Sequence, residues 1–184
     1  MRLRFGTGHE VLDTFSTARR DIGVERADAS PLAYLDALGD GAPPEAALSF
    51  CAYLLPRREA VWWGCRALRA LGHPGPEGEP AGPLSAAERW VERPDDASRR
   101  AALALGIDSD LEQPTPWMAL AAGWAGGSMA LGAYAVPVQS HLTARAVRAG
   151  LLLGLAALSP LRRHEAGARL VGLGRRIASG EEVL

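Results

Sequence analysis

Apolar residues recur at helical spacing along most of this chain, and prolines and glycines mark where each helical stretch opens and closes. Ser30 and Pro31 offer an N-cap and a first-turn φ ahead of Leu32, Leu35 and Leu38, with Gly39 as the expected stop. Pro43 and Pro44 open a second helix, whose apolar positions Ala47, Leu48, Cys51, Leu54 and Leu55 follow the i, i+3/i+4, i+7 rule until Pro56. A third runs to Leu71 with Gly72 as its C-cap. Ser85 and Glu88 have the spacing of a capping box for a helix through Trp90 and Glu92, and Pro94, Asp95 and Asp96 begin another that ends near Gly106. Thr115 and Pro116 start the next. A long helix is expected from His141 to Leu158, and a last one from Pro160 to Gly180 with Ala166, Leu170, Leu173 and Ile177 on one face. Only "RLRF" near the start alternates as a strand would. The pattern predicts an all-α fold: a single domain over residues 30–180, with seven or eight helices in short-looped hairpins. An irregular segment, 1–29, precedes it, and a Pro/Gly-rich loop lies at 72–83.

One stretch interrupts this regularity. From Gln113 to Ala144 no acidic or arginine side chain occurs, as a membrane span would require. The strongly apolar types within 117–138 are few, however: Leu120, Leu131, Val136 and Val138 contribute at best about 2 kcal/mol of insertion energy. Gly123, Gly126, Gly127, Ser128, Gly132 and Pro137 oppose a continuous inserted helix. The expectation is therefore a core helix from Pro116 that ends at Gly126–Ser128, then an uncharged loop to Ser140, and no membrane span. Gly123 and Gly127 match a GxxxG spacing, which in an alanine-rich helix marks a close crossing. Uncharged loops of this length are commonly functional, which makes Trp124 and Ser128 candidates for a binding surface.

Composition narrows the chemistry. With 184 residues, 48% hydrophobic and 22% charged, the chain can bury a sizeable core. All of its 20 basic side chains are arginines, so a Walker A lysine, a Schiff-base lysine and a kinase-type ATP lysine are all excluded. A net charge of −1 argues against a nucleic-acid partner, although Arg162, Arg169 and Arg176 recur every seventh residue on the last helix as a basic stripe. Cys51 and Cys65 fall in helical patterns as small buried hydrophobes, which fits a reducing, cytoplasmic setting. The opening residues have no apolar h-region of a secretory signal.

Catalytic templates fail one by one. His9 and His164 each precede a glutamate but lack the second histidine of HExxH, and two cysteines cannot build a four-ligand zinc site. "GGSMA" at 126–130 departs from a nucleophile elbow at Ala130 and follows no strand, and "GLGRRI" at 172–177 has only two glycines of a dinucleotide fingerprint. No catalytic residue, metal ligand or cofactor is expected. The most suggestive surface lies in "PRREAVWWGCRALRAL", where Arg58, Arg66 and Arg69 flank Trp62 at helical spacing. Tryptophan and arginine together are typical of interface hot spots, and such a face could receive an acidic partner. Burial of both Trp62 and Trp63 beneath snorkelling arginines is the alternative.

"PPEAALSFCAYLLPRREAVWWGCRAL", "AAERWVERPDDASRRAALAL", "TPWMALAAGWAGGSMA" and "HLTARAVRAGLLLGLA" together resemble a family of uncharacterised, mostly helical bacterial proteins, a domain of unknown function, over about residues 43–157. The resemblance implies an association with type VI secretion loci and no established activity, cofactor or catalytic residue. The functional expectation is a non-enzymatic helical adaptor or scaffold that binds a protein partner through Arg58, Trp62, Arg66, Arg69, Trp124 and Ser128, with homo-oligomerisation left open. The rival is a small-molecule or lipid-binding helical domain, or an unrecognised enzyme, with an apolar pocket near residues 117–138.

Overall fold

A computed structural model describes residues 3–24, 27–41, 43–73, 82–130 and 134–184. Among these, the chain forms α1 (Gly8–Thr14), α2 (Ala18–Ile22), α3 (Pro31–Gly41), α4 (Pro44–Leu54), α5 (Arg57–Ala70), α6 (Pro83–Glu92), α7 (Asp96–Asp108), α8 (Thr115–Gly123), α9 (Leu142–Ala156) and α10 (Pro160–Ser179). The described residues hold no strand, only an isolated antiparallel bridge between Ser128 and Pro137. The fold is all-α.

Helix α8 occupies the centre, packed by α5, α6, α7 and α9. Its residues from Met118 to Gly123 are all buried, as expected of a helix that is apolar on every side. Room for it comes from glycines on the surrounding helices: Gly64 of α5 and Gly150 of α9 lie against Met118, and Gly106 of α7 lies against Leu120. Gly123 answers in the other direction, fitting against Leu103 of α7, so this half of the GxxxG spacing is a close helix crossing. Gly127 is not part of that crossing; it lies beyond α8 at φ 61° and covers the Arg99 guanidinium. The helical part of the oily stretch, up to Gly123, is thus taken up by core packing, whereas Tyr134 and Val136 beyond it are exposed, and among the described residues no helix is long and apolar enough to cross a membrane. The second layer is α10, which lies against α3, α4, α5 and α9. Trp63, wholly buried, donates its indole N–H to the Leu170 carbonyl at 2.9 Å and so ties α5 to α10.

Three local expectations are corrected. Residues 1–29, read as irregular, carry α1 and α2. Thr7 caps α1 by accepting from the Glu10 N–H at 3.2 Å, while the Glu10 carboxylate reaches back to the Gly6 N–H at 2.8 Å. Phe5, Val11, Leu12, Phe15 and Ile22 are buried, and Asp21 accepts from the Tyr53 hydroxyl at 2.6 Å and pairs with Arg145 at 3.1 Å, which fastens the segment onto α4 and α9. Second, α3 does not stop at Gly39. That residue is not among the glycines with positive φ, and with Leu35 and Leu38 anchored in the core the helix continues to Gly41. Third, Ser85 and Glu88 do not make a capping box: α6 starts at Pro83, whose fixed φ suits the first helical position, and Glu88 serves Arg69 instead. Of the Pro/Gly-rich loop at 72–83, residues 74–81 lie outside the described residues.

Candidate partner-binding groove

The helical rotation of α5 splits its two adjacent tryptophans. Val61, Trp63, Cys65 and Leu68 face the core, whereas Trp62 is half-buried on the outer side, in line with Arg66 and Arg69 one and two turns on. Neither both-exposed nor both-buried describes the pair. The Arg66 guanidinium carbon stands 5.2 Å from the Trp62 ring centroid, a cation–π distance.

Each flanking arginine has an acceptor within the protein. Arg58 donates its Nε to the Val91 carbonyl at 2.7 Å, satisfying one of the acceptors that the last turn of α6 leaves open. Arg69 forms a fork on the Glu88 carboxylate at 2.9 and 2.7 Å. Arg66 donates to Glu182, which also accepts from Arg176 Nε at 2.8 Å. The Arg176 hydrogen bond first and the Arg66 bond second hold the Glu182 carboxyl below its usual range. The basic stripe of α10 therefore meets the tryptophan face of α5 at one shared carboxylate.

The position of Glu182 follows from how α10 ends. Gly180 takes φ 82°, and the Arg176 carbonyl accepts from both Glu181 N at 2.9 Å and Glu182 N at 3.1 Å. This left-handed turn, which glycine adopts without a Cβ penalty, folds residues 181–184 back across α10 toward α5. Leu184 reaches the rim of a groove of about 480 Å³ between α5 and α6, bounded by Arg58, Trp62, Arg66, Val91 and Glu92. On the other side of Arg66, a second groove of about 360 Å³ runs between α5 and α10, with Arg169 and Arg176 on its edge and Ala166, Leu170 and Leu173 on its floor. Glu182 bridges the arginines where the two grooves adjoin.

Trp124 and Ser128 belong to a different feature. The Trp124 carbonyl accepts from the Thr143 hydroxyl at 3.0 Å, and the Ser128 hydroxyl accepts from Ala130 N at 3.1 Å and Val136 N at 3.0 Å. With Met129 N bonded to the Val136 carbonyl at 3.0 Å, the two described arms of the expected uncharged loop pair antiparallel, and residues 131–133 between them lie outside the described residues. Arg99 anchors its base. It is 5% exposed and donates to the carbonyls of Gly123 at 2.7 Å and Ser128 at 3.1 Å while pairing with Asp96. The sequence candidates thus form two groups: Arg58, Trp62, Arg66 and Arg69 around the groove, and Trp124 and Ser128 in the α8–α9 connection.

The residues that sequence reading missed are Glu88, Arg99, Glu182 and Leu184. Glu88 has the spacing of a capping box but gives its carboxylate to Arg69, and Glu182 lies 116 positions from Arg66. Both cysteine thiols are free and buried, and burial pushes their pKa values up, away from nucleophilic use. Among the described residues no three His, Cys, Asp or Glu side chains converge on a metal position.

Fold and site together define an all-α domain with an arginine- and tryptophan-bordered groove on one face. The chain belongs to a family of unknown function (DUF6931), whose model matches residues 34–178. No curated protein and no solved structure matches it. The clamp arginines Arg66 and Arg176 fall inside the matched stretch; α1, α2, Glu182 and Leu184 fall outside it.

Proposed function

We propose that this domain is a non-enzymatic helical adaptor of the bacterial cytoplasm, which binds a protein partner through the groove over Trp62. The observation that supports it is the junction of a half-buried indole with Arg58, Arg66 and Arg176 beside an open apolar groove. Tryptophan and arginine are enriched among the few residues that dominate the binding energy of protein interfaces. In this proposal the partner is a component of a secretion assembly, a setting supported by the resemblance to type VI-associated proteins alone. The rival reading of an apolar ligand pocket over residues 117–138 draws less support, since Met118, Ala119, Leu120, Ala121 and Ala122 are spent on the core.

The test is affinity capture from the native cell, comparing wild type with Trp62→Ala and Arg66→Glu, followed by reconstitution with the purified candidate. Arg66 is exposed and Trp62 only half-buried, and circular dichroism checks that both variants fold. Loss of recovery in both variants is the expected result. Undiminished recovery in both removes this face from consideration.

A further inference from the structure

A segment of the chain itself already reaches this groove. Glu182 is seated between Arg66 and Arg176, Val183 points outward and is 69% exposed, and Leu184 returns to the groove beside Trp62. An acidic residue followed two positions later by an aliphatic one is therefore the pattern that this surface accepts. Leu184 remains 47% exposed on the rim, so the groove has space for a deeper side chain than this one. The attachment is also intrinsically weak. The contacts of Arg66 and Arg176 with Glu182 are between partly exposed groups, and exposed ion pairs contribute little against water and salt.

We propose that the groove over Trp62 and the Arg66–Arg176 clamp form a receptor for an acidic–apolar segment of another protein, a Glu or Asp followed two residues on by Leu or a similar side chain, and that Glu182–Leu184, seated on the clamp and on the groove's rim, is an internal competitor which that segment displaces. The inference rests on the adaptor reading and specifies the partner's chemistry. Glu88 and Glu92 on the α6 wall set the direction in which the segment enters. Glu88 is matched by Arg69, and the exposed Glu92 repels a second acid placed at that end, so the acidic position belongs at the Arg66–Arg176 end and the aliphatic one toward α6. The internal segment follows directly from the end of α10, so it competes from within the same molecule. An internal segment that leaves the site free in about one molecule in ten lowers the apparent affinity of an external segment about tenfold.

The probe is a fluorescein-labelled, C-terminally amidated peptide of sequence Ser-Gly-Glu-Glu-Val-Leu, titrated by anisotropy against the full chain. Wild type is expected to bind it weakly, and Glu182→Gln with Leu184→Ser to bind it about tenfold more tightly. Adding Arg176→Gln to that pair is expected to return binding to the weak level, and raised salt to weaken it. Circular dichroism and thermal melts confirm that each variant is folded. Equal binding by wild type and the opened variant, or no binding by either at millimolar protein, overturns the proposal. A concentration-dependent dimer in sedimentation that the opened variant dissolves also overturns it, by assigning the segment to a second copy. If the peptide fails while partner capture still depends on Trp62 and Arg66, the adaptor reading stands and this inference alone is lost.

Discussion

The close approach of α7 to α8 makes a quantitative prediction at Gly106. A Cβ added there would stand 2.8 Å from Leu120 Cγ and 2.9 Å from both Leu120 Cδ2 and the Leu120 backbone nitrogen. Carbon pairs prefer about 3.5–4.0 Å, so Gly106→Ala has to push the two helices apart or drive Leu120 from its rotamer. Overpacking of this kind costs about 1–3 kcal/mol, while the helix propensity of alanine returns at most about 1 kcal/mol. The net expectation is about 1–2 kcal/mol of destabilisation, or a fall in Tm of about 2–8 °C for a domain of this size. Gly39→Ala supplies the control. It lies inside α3 with nothing within 4 Å of the added Cβ, so the same change is expected to stabilise by about 0.5–1 kcal/mol. Leu120→Ala alone is expected to cost about 2–5 kcal/mol through the cavity it leaves. Two of the three obstructing atoms belong to that side chain, so the double variant should fall short of the sum by about 1 kcal/mol. Urea unfolding at 25 °C with a common m-value measures the four variants against wild type. Gly106→Ala as stable as wild type, or additivity within about 0.5 kcal/mol, would refute the reasoning.

Three further predictions follow from polar and titratable groups. Arg99→Ala removes a buried donor from the Gly123 and Ser128 carbonyls and should cost about 2–4 kcal/mol, with amide exchange rising across residues 124–130. Arg99→Lys should not restore it, because a single ammonium lacks the planar fork that serves those carbonyls and Asp96 together; equal protection in all three proteins would discredit this anchor. Because burial raises both thiol pKa values, Cys51 and Cys65 should be inert to a disulfide reagent at mildly alkaline pH in the native protein and react fully once it is unfolded; rapid native labelling would contradict their placement. The Glu182 carboxyl is held below its free value by Arg176 and Arg66, so its contribution is complete above the ordinary glutamate pKa of about 4.3 and is lost as pH falls through the depressed folded value. The Leu184 methyl resonances should therefore move toward free-chain positions on acidification, and resonances that hold still while the fold persists would count against the clamp.

Most of the helices were legible because what starts and stops a helix acts within a few residues. Gly72 and Gly180 stand at φ 82° at the helix ends where glycine punctuation put them, and Pro44 and Pro160 occupy first-turn positions. A count of side chains in the apolar stretch from Trp117 decides against lipid without any partner helix, and among the described residues no helix is long and apolar enough to cross a membrane. Helix α1 was overlooked although Thr7 and Glu10 carry a capping-box spacing, because the helix is too short to show an apolar period and is held by contacts with α2 and α3.

The candidate surface was legible only in part. Spacing on one helix brought Arg58, Trp62, Arg66 and Arg69 together, but spacing is silent on which of two neighbouring tryptophans turns inward. That choice rests on Trp63 finding the Leu170 carbonyl on α10. The meeting of Arg66 with Arg176 through Glu182 depends on the packing of α5 against α10 and on the reversal at Gly180, two features separated by over a hundred positions in the chain. Periodicity and capping are properties of neighbours in sequence, and the chain carries them in its letters. Which arginine faces which carboxylate is a property of neighbours in space, and it comes into being only when the helices pack.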